Sequence, residues 1–431
     1  MAAGRKQRIL FLAIGTALAA TVARAADQYE SAPIEYSAST PDNPVAALQR
    51  ALEEGKVTLP RETRTGYLRG LLAQLKIPVD SQMLVFSKTS MQRDRISPRT
   101  PRAIYFNDDV YVGYCHAGEV IEVAVADPKL GAVFYTLDQK NHKQATLQRQ
   151  THSCLQCHGT TQTDDIPGFV VRSVFTGASG LPILSEGSHR VDQTTPIEDR
   201  WGGWYVTGTH GEQTHLGNLI VRDREAPRPW KNEEGQNVTQ LDDKLRTENY
   251  LTPHSDIVAL MVFEHQTHVH NLITKANFAA RQALLYETEL NQAFGEPAGN
   301  RLESTTRRIA NAGEKLVEGL LFSGEAPIKG PIAGTSAFAE QFMALGRRDS
   351  TGRSLRDLDL STRMFKYPCS YLIYSPSFDG LPAEMKSYVA RRLREVVAGD
   401  GGEAYWHLTA ADRRHIGEIL RETKPELWNL Q

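Results

Sequence analysis

The run Cys154-Leu155-Gln156-Cys157-His158 holds the residue types with the most specific chemistry in this chain. Cys-x-x-Cys-His is the pattern that receives a covalently attached c-type haem. Two thiols three residues apart lie close together on one helical turn, so each can add to a vinyl group of the same porphyrin while the next imidazole turns toward the iron. A zinc site would need two further thiolate or imidazole ligands at matching spacing, and the other cysteines, Cys115 and Cys369, form no second Cys-x-x-Cys. A thioredoxin-like redox pair would sit in a βαβ context without the trailing histidine. The expectation is one haem c per chain, tethered by Cys154 and Cys157 with His158 as an axial iron ligand.

What faces the other side of the iron decides the function. A thioether or a second imidazole gives an iron suited to moving electrons, whereas an open position allows O₂, peroxide or NO to bind. No methionine lies between Met91 and Met261, so a thioether ligand would have to come from a separate segment of the chain. His189, His210 and His215 lie closer to the motif. His210 stands in Thr207-Gly208-Thr209-His210-Gly211, where glycines would allow close approach to a flat ring. His265 is the second candidate, one helical turn after Met261 on the apolar stripe of a long helix. Against these stand two ordinary readings, a surface-loop histidine and a core histidine bonded to a backbone carbonyl. Glu264-His265-x-x-His268 is no zincin motif, because its histidines are three apart with the Glu outside them. Trp201, Trp204 and Tyr205 would serve to wall a porphyrin, and Arg172, Arg190 or Arg200 to pair with propionates; ordinary core aromatics and solvated surface charges are the alternative.

Attachment of this kind takes place outside the cytoplasm, and the first 25 residues fit export. Basic Arg5, Lys6 and Arg8 precede an apolar stretch over residues 9–22 and a small-residue cleavage site, Ala23-Arg24-Ala25, before Ala26. Removing that segment takes away four basic residues and no acidic ones, moving the formal charge from −2 to −6. No block of like charges stands out, so neither nucleic acid nor an anionic membrane surface is an implied partner. No later stretch reaches the ~20 apolar residues that span a bilayer, so no membrane span is expected in the mature chain. Cys115 and Cys369 are left over. They form either a disulfide across a very long loop or two buried free thiols.

The fold class expected is α+β: a helical N-terminal lead-in, a β-rich haem-bearing block and a mainly α-helical C-terminal region. The lead-in, residues 26–80, carries an Asp42/Asn43 cap with Pro44, then a second pattern ending before Pro78. The β-rich block, residues 81–222, is expected to hold a hairpin across Asn107-Asp108-Asp109, strands over 120–125 and 132–137, and a polar stretch over 138–151 before the motif. Further strands are expected over 168–175, 204–207 and 219–222, then a charged, aperiodic linker over 223–250. The helical domain, residues 251–431, opens with Ser255 as cap. Helices follow over 309–322, 382–397 and 409–420, the last with a Thr409/Asp412 capping pattern.

With its export signal and its pentad, the chain resembles the bacterial c-type cytochromes. The strings Arg200-Trp201-Gly202-Gly203-Trp204-Tyr205 and Ser370-Tyr371-Leu372-Ile373-Tyr374-Ser375 are similar to those of large single-haem bacterial proteins recognised by a cytochrome c domain. The resemblance implies attachment roles for Cys154 and Cys157 and an iron-ligand role for His158, and no activity beyond them. The chain departs from compact cytochromes in its length and in lacking a nearby methionine, and from di-haem peroxidases in lacking a second pentad. Two functions follow as expectations. One is a periplasmic electron-transfer cytochrome working with a redox partner protein or a small electron donor or acceptor. The other is a haem-dependent oxidoreductase whose surrounding structure shapes a pocket over an open iron position.

Overall fold

Period-two apolar residues between positions 83 and 138 build an antiparallel meander. The computed structural model describes residues 28–140, 143–226 and 228–430. The expected export segment, residues 1–25, lies outside the described residues. Six strands pair in chain order: β1 (Met83–Val85), β2 (Arg102–Phe106), β3 (Val110–Cys115), β4 (Val120–Asp127), β5 (Gly131–Asp138) and β6 (Leu147–Gln150). The β2–β3 hairpin turns at Asn107 as expected, its Oδ1 accepting from the amides of Asp109 and Val110 at 3.2 and 2.9 Å. Strand β6 emerges from the stretch read as polar. An edge strand tolerates Gln148 and Gln150 because its backbone pairing with β5, not its side chains, holds it in place.

The register sorts the sheet's two faces. Tyr105, Val112, Val123 and Tyr135 share one face. The lead-in covers it with α1 (Pro44–Glu53), capped by Asn43 as expected, and α2 (Leu68–Gln74). Tyr105 donates to Gln82 at 2.6 Å, and Arg149 of β6 donates to the carbonyls of Tyr36 and Ser39. The opposite face carries Phe106, Tyr111, Ala124 and Phe134 in one row and Gly113, Glu122 and Thr136 in the next. On this second face lie the motif turn, α3 (Leu155–His158), and the central helix α4 (Ile257–Phe294). Phe106 and Tyr111 both pack on Phe263 of α4 at 5.6 Å between ring centroids.

Helix α4 runs 38 residues without Gly or Pro, about 57 Å at 1.5 Å per residue. Its cap is Asp256 rather than Ser255. Asp256 Oδ1 accepts from the amides of Val258 and Ala259, while Ser255 Oγ bridges Tyr205 O and the amide of Leu84. Past Gly295, in the left-handed conformation, α5 (Glu303–Leu320) returns along α4. Helices α6 (Phe338–Ala344), α7 (Pro376–Asp379), α8 (Ala383–Ala398), α9 (Ala410–Thr423) and α10 (Pro425–Trp428) complete the helical region, α9 with the Thr409/Asp412 capping box.

The strands expected past the motif are largely replaced by irregular chain. Only β7 (Arg172–Ser173) pairs, with β8 (His189–Arg190); Trp204, Thr207 and Val221 make single bridges. Positive φ at Trp201 and Gly203 breaks the extended run. The aromatic side chains tie the segment down instead, Trp204 Nε1 donating to Arg172 O and Tyr205 to Pro98 O. A further short pair joins β9 (Gly208–Thr209) to β10 (Ala333–Gly334). Residues 223–250 are aperiodic as expected, with two single turns of 3-10 helix, yet Leu241 and Tyr250 are buried and Tyr250 donates to Pro101 O.

One apolar cluster extends from Tyr29 through the sheet to Leu427. Inside it sits the ion pair Arg200–Glu264 at 3.2 Å, with Arg200 also donating to the carbonyls of Thr195 and Gln193. Burial pushes Glu264 up to about 8 even with Arg200 beside it, so Arg200→Met would leave Glu264 protonated and short of a hydrogen-bond partner, together with the unpaired carbonyls of Thr195 and Gln193, at a cost of about 1–3 kcal/mol for each buried group left unpaired. The expected result is a urea midpoint that falls accordingly.

Candidate functional site

The pentad forms one helical turn that begins at Cys154. The amides of Cys157 and His158 both donate to Cys154 O, at 3.2 and 3.0 Å, and that of Gly159 to Leu155 O at 2.9 Å. Cys154 is half-buried, Cys157 is exposed, and both are free thiols. Burial pushes the Cys154 thiol up to about 11, with Glu122 adding to the effect. The thiol is therefore protonated near neutrality.

His158 is held by two reciprocal hydrogen bonds. Its Nδ1–H donates to Gly168 O at 2.9 Å, and the Gly168 amide donates back to His158 O at 2.8 Å. Its ring rests on Phe134 of β5 at 4.8 Å. Burial holds the imidazole below its ordinary pKa, so it is neutral at pH 7. With Nδ1 carrying the proton, Nε2 presents a lone pair, and no described residue bonds to it. This is how a metal-binding imidazole is prepared, since a carbonyl on one nitrogen fixes the tautomer and orients the other.

The loop behind the imidazole is anchored at both ends. Pro167 O accepts from the Ala132 amide at 2.9 Å, and Asn271 of α4 brackets Phe169, accepting from its amide and donating to its carbonyl, each at 2.8 Å. Gly168 has to be glycine, because a Cβ there would stand 2.7 Å from Asn271 Oδ1. A further cavity of about 360 Å³ opens beside this loop, lined by Thr161, Gln162, Asp164, Ser188, His189 and Arg190.

Across the sheet face from the turn lies the ion pair Arg102–Glu122 at 2.6 Å, whose charges act on both Cys154 and His158. Cys115 lies beside the same pair and Cys369 is buried. Both are free, so the buried-thiol reading replaces the disulfide.

The histidines proposed for the second ligand are not brought to the turn. His265 is fully buried and both ring nitrogens are engaged, with Gln193 at 3.2 Å and Ser370 at 2.8 Å, while Phe322 stacks on its face. His210 is fully buried, its Nε2 accepting from the Asn237 amide and its ring 4.6 Å from that of His215. None of these neighbours belongs to the turn or the loop after it. His189 lies exposed on β8, lining the cavity. Glu264, His265 and His268 point to Arg200, Ser370 and Asp192 respectively, and no group of three metal-ligating side chains occurs among the described residues. Trp201, Trp204 and Tyr205 are core residues, and Arg200 is spent in its buried pair. Arg172 donates to Ser188 and Arg190 to Asp164, leaving only Arg190 near the loop.

Gly168, Phe134 and Asn271 escaped the sequence reading. Pro167-Gly168 ten residues past His158 is the one local sign of a turn; Phe134 and Asn271 act through tertiary contacts that no local pattern carries.

Asn271→Ala would leave the buried amide and carbonyl of Phe169 unpaired, about 1–3 kcal/mol for each. The expected result is lower stability together with faster amide exchange at Gly168 and Phe169; unchanged exchange would contradict the anchoring role. The buried pair of histidines predicts an acid-side instability. Burial and the neighbouring His210 hold His215 down to about 3, against about 6.5 in an unfolded chain. The folded protein thus binds fewer protons than the unfolded one between those values. Its stability is full above about pH 6.5 and falls with pH through the window, by about 1.4 kcal/mol per unit for this group. Urea titrations of wild type and His215→Gln between pH 7 and 4 should diverge by that slope.

Set against protein-family models, curated proteins and solved structures, the chain finds no match in any of the three, so the site is read from its own residues.

Proposed function

We propose that this chain is an exported monohaem c-type cytochrome that carries single electrons in the periplasm, passing them between a redox partner protein or small donor and an acceptor. One observation carries the reading. A Cys-x-x-Cys-His turn presents two free thiols beside a neutral imidazole whose Nδ1–H is committed to Gly168 O and whose Nε2 has no partner among the described residues. The haem supplies a one-electron iron couple. The chain's own residues do the rest: Cys154 and Cys157 tether the porphyrin edge, His158 supplies a ligand, and Gly168 fixes that ligand's tautomer. Phe134 packs against the imidazole, while Asn271 and the Ala132 amide keep the loop from relaxing. No helix among the described residues is long and apolar enough to cross a membrane, which suits a carrier attached to no bilayer by such a helix.

Produced with its leader in a host equipped for haem attachment, the protein should be red, and acidified acetone should leave the pigment on the polypeptide. Cys154→Ser and Cys157→Ser should each keep a single thioether with a shifted haemochrome spectrum, and the double variant should release its haem into the solvent. A colourless wild type or a fully extractable pigment would contradict the proposal. The competing reading, a haem-dependent oxidoreductase, requires an open iron position; reduced protein whose spectrum shifts promptly on adding carbon monoxide would favour it, and an unchanged low-spin spectrum would favour the carrier.

A further inference from the structure

We propose that Arg102 binds a carboxylate of the haem, one of the porphyrin's two propionates, an inference that rests on the haem reading above. The strand register ties this arginine to the motif turn. His158 rests on Phe134 of β5 at 4.8 Å, and Phe134 stands opposite Ala124 of β4. Glu122, two residues before Ala124 and on the same face, is therefore the diagonal neighbour of Phe134, about 7–8 Å away. Arg102 reaches Glu122 from β2 at 2.6 Å. The charges of both residues act on Cys154 and on His158.

The guanidinium is built into the sheet face. It lies over Gly113 of β3, where a Cβ would stand 2.6 Å from its Nε and 2.8 Å from its Cζ, so any other residue there would push it off. Glu122 is fully supplied with donors. Its Oε1 accepts from Ser90 Oγ at 2.8 Å and from Gln92 Nε2 at 3.0 Å, and its Oε2 from Arg102 Nη2. Arg102 is not supplied in the same way. A guanidinium carries five N–H donors, and the Nε of Arg102 is buried without a partner, a state that costs about 1–3 kcal/mol. The side chain as a whole is 22% exposed, so a second carboxylate can reach the fork on the face that carries the turn.

The other arginines weighed for this role do not meet these conditions. The six strands hold two, and Arg149 lies on the opposite face, where it donates to the carbonyls of Tyr36 and Ser39. Arg172 is bound to Ser188, Arg190 to Asp164 and Arg200 to Glu264. Vinyl and propionate groups sit on different edges of a porphyrin. A cation for the propionates therefore belongs beyond the turn that takes the vinyl groups, and Arg102 stands across the sheet face from that turn.

The test uses the full mature protein with haem attached, and its readout is the propionate-bending band of the resonance Raman spectrum. Arg102→Gln should move that band to the position of an unbonded propionate. Arg102→Gln/Glu122→Gln, which leaves no unpaired carboxylate behind, should move it equally and keeps the test open if the single variant fails to fold. The reduction potential reports on proximity. Arg102→Gln should lower it and Glu122→Gln should raise it, because the first removes a positive charge beside the ring and the second a negative one. A wild-type band in the folded double variant overturns the assignment alone and leaves solvent as the partner of Nε; potentials unchanged in both single variants also overturn it. A wild type that attaches no haem at all overturns both this assignment and the reading beneath it.

Discussion

A single hydrogen bond organises the candidate site, from His158 Nδ1 to the carbonyl of Gly168. A neutral imidazole offers one lone pair, and which nitrogen carries it depends on where the proton is held. Here the proton is held on the side of the loop and of α4, and the lone pair meets no partner among the described residues. For that bond to act on orientation, Gly168 itself has to be immovable. The structure meets this demand with the reciprocal amide bond to His158, the Pro167–Ala132 contact to β5, and the bracket of Asn271 around Phe169. The sheet and the longest helix thus converge on a four-residue turn.

This arrangement explains part of the chain's length. A turn carrying two thiols and a histidine has no core of its own, so its geometry has to be borrowed from elements around it. Phe134 comes from β5, whose residues are buried almost throughout because lead-in helices cover one face and α4 with the motif loop cover the other. Helix α4 is itself fixed by the buried Arg200–Glu264 pair and by α5 packed along it. A rigid setting suits an electron carrier, whose iron should change oxidation state with little movement of its ligands.

Much of the architecture was legible in the chain. Alternation over 103–137 and the turn at Asn107 marked the meander, and the Asn43 and Thr409/Asp412 caps marked helices α1 and α9, because these signals are local. The post-motif strands were misread for a physical reason: Trp201, Trp204 and Tyr205 have strand-like side chains, but positive φ at Trp201 and Gly203 folds them inward as core. The candidate ligands His210 and His265 failed similarly. Glycines flanking one and an apolar stripe around the other described burial, and burial engaged both ring nitrogens of His265 and Nε2 of His210 with partners away from the motif turn. Cys154, Cys157 and His158 were readable because Cys-x-x-Cys-His is a contiguous local pattern, whereas Gly168 and Asn271 answer to tertiary contacts more than 100 residues apart.

The central claim is that one porphyrin is bonded to Cys154 and Cys157. Intact-mass measurement of the exported protein after full denaturation, followed by mass analysis of the peptide containing residues 154–158, addresses it without dependence on folding or activity. The account predicts a polypeptide heavier by one haem, with the added mass confined to that peptide. A polypeptide at its bare mass, with both thiols open to alkylation, would contradict it.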